Sequence, residues 1–113
     1  MPAGRMNRRL RFESPQPAGD GYGDAATLWQ EEFTVWAEVF ARSGGEQVLA
    51  ARLTGVQPVE ITVYRSTQTR RITSDWRAVD TRTGEVFAVS APPFDLDGRR
   101  ALLKMLGRSG VAA

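Results

Sequence analysis

The run Glu32-Phe33-Thr34-Val35-Trp36-Ala37-Glu38-Val39-Phe40 constrains this chain more than any other stretch. β-Branched and aromatic residues crowd into it, and such residues fit a pleated, half-buried surface. At a period of two, Phe33, Val35, Ala37, Val39 and Ala41 share one face, and Thr34, Trp36, Glu38 and Phe40 share the other. The first face reads as core. The second puts two large aromatics where water is expected. Trp29, Phe33, Trp36 and Phe40 also fall at helical spacing, but the composition favours a strand. A strand apolar on both faces is either enclosed on both sides or carries a partner site. Trp36 and Phe40 are therefore expected on a surface that only another subunit or the N-terminal arm covers. The strand is placed over Leu28 to Ala41, longer than the usual roughly five or six residues, so a bulge or break is expected near Gln30–Glu32.

The remaining segments arrange themselves around that strand. Met1–Arg9 has no period and reads as a flexible arm, and Leu10-Arg11-Phe12-Glu13 alternates as a first strand. Pro15, Pro17, Gly19, Gly21 and Gly23 then break the chain. Asp20-Gly21-Tyr22-Gly23-Asp24 is a turn-rich loop without the Lys or the strand–loop–helix context of a phosphate cradle. Ser43-Gly44-Gly45-Glu46 has capping-box spacing ahead of Val48, Leu49, Arg52 and Leu53, and Gly55 suits a left-handed helix end. That segment reads as one short helix or as a loop that orders on a partner. Gln57–Arg65 is the cleanest strand, with Val59, Ile61 and Val63 inward and Glu60, Thr62 and Tyr64 outward. A short strand is expected around Ile72. Asp75–Asp80 and Glu85–Ser90 form a hairpin across Thr81-Arg82-Thr83-Gly84, with Gly84 at the position that needs positive φ. Pro92-Pro93 stops the strand and Asp95-Leu96-Asp97-Gly98 turns the chain. Arg99–Leu106 closes the fold as a strand, although Leu102, Leu103 and Leu106 also suit a helix, and 107–113 reads as a tail. The sum is a single mainly-β domain: a small antiparallel β-barrel or sandwich of five to six strands, with one short helix or long loop between the second and third.

Composition narrows the chemistry. At 113 residues the chain is one domain. It has no Cys and no His, which removes thiol catalysis, disulfides, the usual zinc sites and a Ser-His-Asp arrangement. Carboxylates such as Asp75, Asp80, Asp95 and Asp97 leave a hydrolase reading open, but the Gly, Thr and Arg beside them make turns the simpler account. No enzyme activity, metal or cofactor is expected. No apolar run approaches the ~20 residues of a membrane span, and the N-terminus lacks the apolar region of a signal peptide, so the expectation is no membrane and a cytoplasmic site of synthesis and assembly. The first thirteen residues carry +3 against a chain total of +2, through Arg5, Arg8, Arg9 and Arg11. These four arginines are expected to face a partner. An alternative reading joins them to Trp36, Tyr64 and Trp76 as stacking surfaces of a small-barrel nucleic-acid-binding module.

Three places line up with one family. Gly4-Arg5-Met6-Asn7-Arg8-Arg9-Leu10-Arg11-Phe12 followed by a proline resembles its opening arm and first strand. Asp20-Gly21-Tyr22-Gly23, then Trp29, then Val35-Trp36-Ala37-Glu38-Val39 resembles its most recognisable stretch. Ile61-Thr62-Val63-Tyr64-Arg65, the Trp76-to-Val89 hairpin and Asp97-Gly98-Arg99-Arg100 follow in order. The chain is similar to the head–tail joining proteins of tailed bacteriophages, also called head-closure or stopper proteins, with relatives in gene-transfer particles. The resemblance implies a small β-barrel that forms a ring, usually of six copies, in the particle neck. There it would lie between the adaptor ring under the portal and the tail, with packaged DNA passing through the lumen. It also implies that 43–57 projects toward the channel and helps hold DNA in. Ser43, Gly44, Gly45, Glu46, Arg52 and Gly55 are then channel-facing, and the Gly44-Gly45 pair and Gly55 read as hinges of a gate; the alternative is a packed surface helix with Val48, Leu49 and Leu53 as ordinary core.

Overall fold

The structure, a computed structural model, describes residues 6–16, 28–95 and 101–110. Its elements are β1 (Arg8–Gln16), β2 (Leu28–Ala41), α1 (Glu46–Leu53), β3 (Gln57–Tyr64), β4 (Arg77–Asp80), β5 (Val86–Val89), β6 (Phe94–Asp95) and β7 (Leu102–Ser109). Six strands run in the spatial order β3-β2-β1-β4-β5-β7, and β7 pairs back onto β3, so the sheet closes into an antiparallel barrel. β6 is a short extra strand laid on β7. The small antiparallel barrel with one short helix between the second and third strands is thus the observed fold. Closure removes long open edges, so a partner meets this molecule mainly through side-chain faces and connections.

The inner face is set by the period-two pattern. Leu10 and Phe12 of β1, Phe33 and Ala37 of β2, Val59, Ile61 and Val63 of β3, and Leu103 and Met105 of β7 all point into one core. Phe12 and Phe33 stack 5.4 Å apart, and Trp76 closes on Phe33 at 5.9 Å. Phe12 is fully enclosed; burying a side chain of that size contributes about 1.5–3 kcal/mol. The β2 bulge falls where it is expected. Phe12 faces Phe33 but Glu13 faces Glu31, so Glu32 is the extra residue. Its carboxylate accepts from Ser14 Oγ at 2.5 Å and from Arg71 Nη2 at 2.8 Å, which gives the bulged side chain partners on two other segments.

Several expectations are corrected. Arg8 and Arg9 belong to β1 and Met6 is buried, so the arm does not extend to Arg9; an ion pair and an apolar contact hold what local pattern reads as unstructured. β1 also continues through Pro15, which pairs with Trp29. No strand forms around Ile72. Thr69–Arg71 is a 3-10 turn instead, because Thr69 Oγ1 is buried, donates to the Tyr64 carbonyl at 2.9 Å and accepts from the Ser66 amide at 2.8 Å. Ile72 then drops into the core as a plug. Asp95 lies in β6 rather than in a turn. β7 runs to Ser109, so Gly107–Ser109 is strand and not tail. Gly107 faces inward, where a side chain would meet the Ala88 carbonyl at 3.0 Å and Ile61 at 3.4 Å; glycine there lets β5 and β3 close on β7. The expected loop at Asp20–Asp24, the Asp97–Arg100 turn, Met1–Arg5 and the end of the tail lie outside the described residues.

Candidate partner-binding face

The outer side of β2 carries the first candidate residues. Trp36 is 49% exposed and Phe40 59% exposed, while Phe33 and Ala37 on the opposite face are buried. Cross-strand register extends this surface. Phe40 sits beside Glu60, and Glu38 beside Thr62. Thr62 pairs with Lys104, which pairs in turn with Phe94. Cross-strand partners share a face, so Trp36, Phe40, Tyr64 and Phe94 all stand on the outside of β2, β3, β7 and β6. Tyr64 and Phe94 are exposed too. Between them Glu60 receives Lys104 at 3.0 Å and Arg42 at 3.8 Å. The result is an aromatic face with its central charges neutralised. Tyr64 is read as outward from its alternation. Phe94 is missed because the prolines before it read as a stop.

The described arginines of the N-terminal segment, Arg8, Arg9 and Arg11, do not form a free cationic arm. Arg8 Nη1 donates to Asp80 Oδ2 at 3.1 Å and to Glu85 Oε1 at 3.3 Å. Arg11 Nε donates to Glu13 Oε2 at 2.7 Å. Arg9 lies over the Trp36 ring, 5.2 Å from its centroid, a contact that the cross-strand pairing of the two residues allows; a cation on an aromatic face is attracted by the ring quadrupole. Arg5 is outside the described residues. Trp76, offered above as a stacking surface, is core. Arg8 and Arg11 are thus committed to this chain's own carboxylates, and Arg9 is the one of these three that lies against an aromatic ring of the candidate face.

Two buried carboxylates organise the β1–β4 seam. Glu13 accepts from Arg11 and from Arg77 Nε at 2.6 Å. Arg77 also lies 4.4 Å over the Trp29 ring. Burial pushes the Glu13 carboxyl up, but the hydrogen bonds and charges of Arg11 and Arg77 outweigh it and hold the group below its ordinary value. Asp80, 2% exposed, opens the β4–β5 turn. Its Oδ1 accepts from the Arg82 and Thr83 amides at 2.8 and 3.2 Å. Burial raises its pKa, and these amides together with Arg8 bring it below the usual carboxylate value. Glu32 is lowered by the Ser14 hydroxyl and by Arg71. Of the other carboxylates considered above, Asp75 accepts from Thr73 Oγ1 and Asp95 lies 3.9 Å from Arg65 Nε. Among the described residues there is no group of three or more acidic side chains that could hold a metal, and no helix long and apolar enough to cross a membrane.

The β2–β3 connection holds the second set. The expected capping box at Ser43 does not form: Gly45 is the N-cap, with φ 83 and ψ 150, and no side chain caps the helix. The glycine backbone there turns Ser43 away from the first-turn amides. Glu46 occupies the first turn and Arg52 the last, each at the end that the helix dipole favours. Gly55 adopts φ 84 and ends the helix as expected. Only Val48 of α1 is buried.

The profile of the phage head completion protein family matches residues 1–110. No curated protein matches the chain. A protein of Shigella flexneri 2a, solved in solution, superposes with a TM-score of 0.67 at 22% identity, covering 100% of both chains. At that identity the likeness is one of fold. A chain in the virion of a native gene transfer agent particle superposes with a TM-score of 0.65 at 28% identity, over 95% of this chain and 96% of that one. With a family profile spanning nearly its whole length and the barrel to match, the chain belongs to the phage head completion protein family, a family of structural virion proteins.

Proposed function

We propose that this protein forms a homo-oligomeric ring, of six copies, in the neck of a tailed phage or gene-transfer particle. The ring lies between the adaptor under the portal and the tail, closes the DNA channel and offers the surface on which the tail docks. Family membership and the gene transfer agent neighbour support the particle. The observation that carries the ring is the exposed aromatic face of Trp36, Phe40, Tyr64 and Phe94 on a closed barrel. A face of this kind is covered in the working state, and a head-to-tail contact repeated by rotation closes into a ring. In this arrangement the connection 43–57 lines the lumen. Its Glu46 and Arg52 cancel, so the lumen segment neither grips nor strongly repels DNA phosphates.

The test is the double variant Trp36→Asp with Phe40→Asp. Both side chains are exposed, so the isolated chain stays folded, with Tm lowered by about 10 °C through lost strand propensity, the lost Arg9 contact on Trp36 and the Asp set opposite Glu60. Particles made with it are expected to lack neck density by electron microscopy, to leak DNA and to carry no tails. Normal tailed particles from a folded double variant would remove this face from the assembly and the reading with it.

A further inference from the structure

Closure of the barrel has one exception. β3 pairs with β2 only between Ala41 and Ala37 and then leaves it. The Tyr64 carbonyl accepts from Thr69 Oγ1 at 2.9 Å and the Arg65 amide donates to the Ala101 carbonyl at 2.9 Å, so the departure is fixed by hydrogen bonds. β2 runs on to Leu28 with β1 on one side and no strand on the other.

Register shows which backbone groups face that open side. The Thr81 amide donates to the Arg9 carbonyl, so Arg9, Arg11 and Glu13 turn their backbone groups toward β4, and Leu10 and Phe12 turn theirs toward β2. Their partners Val35 and Phe33 are therefore bonded to β1, and Thr34 between them points away. Beyond the bulge Glu31 faces Glu13 and Trp29 faces Pro15, so these two point away as well. Pro15 fits the assignment, because its missing N–H lies on the side away from β2. Among the described residues the Trp29, Glu31 and Thr34 amides have no acceptor, and of their carbonyls only that of Glu31 is bonded, by the Gln30 side chain at 3.0 Å. Lys, Pro, a bulge or an inward charge ordinarily protects such an edge. Leu28–Trp36 has neither Lys nor Pro, and at its bulge the Glu32 carboxylate is drawn onto Ser14 and Arg71.

We propose that the open side of β2 from Trp29 to Thr34 takes an extended strand from a different polypeptide of the particle, one that alternates apolar residues with Lys or Arg. Strand addition draws affinity from main-chain hydrogen bonds and specificity from alternate side chains. On the core side the added strand meets Val35, which is only partly buried although it packs on the core, and Leu28, which is 57% exposed. These call for apolar residues. On the outer side it meets Glu31, which is exposed and has no ion pair among the described residues, while Arg11 and Arg77 are held on Glu13. This calls for a cation. The outer side also continues along β2 into Trp36 of the aromatic face. A second copy does not supply the strand: β6 is two residues long, the open side of β1 beyond Glu13 carries Pro15, and pairing β2 with β2 sets two bulges against each other. The inference rests on the particle reading and not on the ring.

Amide hydrogen exchange tests this, read by residue in the isolated chain by NMR and in purified tailed particles by mass spectrometry with electron-transfer fragmentation. In the isolated chain the Glu31 and Thr34 amides should exchange about a hundredfold or more faster than those of Phe33 and Val35. In particles they should slow to the rate of those neighbours. Equal protection in the dilute isolated chain would show that the edge is not open. Protection that appears on concentrating the isolated chain would assign the edge to a second copy. Fast exchange that persists in particles would show that the edge is unused. Each of these three results overturns the proposal. The variant Leu28→Lys with Glu31→Lys changes two exposed positions and keeps the fold; its particles should show neck density but fast exchange at Thr34. Slow exchange at Thr34 in those particles would overturn the alternation assigned to the partner strand. If the variant builds no neck, the parent particles decide alone. Neck density reports the ring and Thr34 exchange reports the strand, so the two failures are read separately.

Discussion

Among the described residues, two connections join neighbouring antiparallel strands, β2 to β3 and β4 to β5, and they solve the task in opposite ways. The β4–β5 turn is short and saturated. The Asp80 amide donates to the Glu85 carbonyl and the Gly84 amide to the Asp80 carbonyl, each at 2.8 Å, and the Asp80 carboxylate takes two turn amides and Arg8. The β2–β3 connection runs from Arg42 to Val56 and buries one helical side chain. Yet β2 and β3 are already in register before it starts, through Ala41 opposite Val59. The short turn is thus part of what holds the barrel. The long one is not needed to close it, and its length is available for work outside the fold.

The sharpest way to break this contrast is Asp80→Ala. The substitution removes three hydrogen bonds from a buried group and leaves Arg8 with Glu85 alone. Hydrogen bonds to charged groups contribute about 1.5–3 kcal/mol, so a loss of about 3 kcal/mol is expected, which lowers Tm by roughly 10 °C or more. Removing residues 2–9 should also destabilise the chain, since it deletes Arg8 and the buried Met6. Thermal denaturation followed by circular dichroism checks both. A Tm within about 3 °C of the parent for Asp80→Ala would show that the turn is not a structural joint.

Glu13→Gln is expected to cost less, about 1–2 kcal/mol, because an amide still accepts one of the two guanidinium bonds. Its signature is in the pH dependence. Glu13 and Asp80 both have folded-state values lowered from 4.5 and 3.8. A lowered carboxylate contributes stability that is present above the unfolded value and is lost as pH falls through the folded one. The parent should therefore lose stability below about pH 4.5, and Glu13→Gln should show a shallower acid limb. Identical acid limbs by urea denaturation at several pH values would mean that Glu13 is not a seam group.

The contrast also marks how far the sequence was legible. Strand periodicity placed β2, β3 and the β4–β5 hairpin, the Glu32 bulge, Gly84, the Gly55 cap and the outward Trp36 and Phe40. The residues quoted for the head–tail resemblance pointed to the family that the chain belongs to. What stayed hidden depends on distant partners. Arg8 and Arg9 read as an arm because Asp80 and Trp36 lie far along the chain from them. Gly107 read as the start of a tail because only the closed barrel shows that Ala88 and Ile61 need the space. Ser43 fitted a capping box by spacing, but spacing does not contain the Gly45 backbone angles that prevent it. The same limit applies to the candidate face: alternation shows which side chains point out, and the β6–β7 pairing shows that Phe94 joins them.

A smaller effect is expected from deleting the long connection. Replacing residues 43–56 with Asn-Gly leaves a three-residue loop ending at Gln57, a length that hairpins accept. The barrel should keep its Tm within about 5 °C, with Val48 the one helical core contact removed. The shortened protein should then fail to retain DNA in filled heads, which separates the connection's work from its contribution to stability. Global unfolding on shortening would mean that α1 is a structural element like the β4–β5 turn.

The smallest expected effect is that of Leu53→Ser, and it is the most discriminating. Leu53 is 79% exposed at the last turn of α1, and Leu49, one turn earlier, is 59% exposed. A leucine that packs in a core costs about 2–5 kcal/mol when truncated, whereas surface substitutions away from caps and networks stay within about 0.5 kcal/mol. Leu53 precedes the Thr54 cap, and its backbone is unchanged by the substitution. Leu53→Ser and Leu49→Ser should therefore each move the unfolding free energy by no more than about 0.5 kcal/mol in urea titrations of the isolated chain. Val48→Ser, one position from Leu49 but buried, should cost more than either. If all three cost the same, α1 is packed along its whole length. The difference between the two connections then disappears, because the long one would be holding the barrel after all. If only Val48 matters, the leucines are free on the isolated subunit, and any loss they cause in assembled particles comes from contacts that form there.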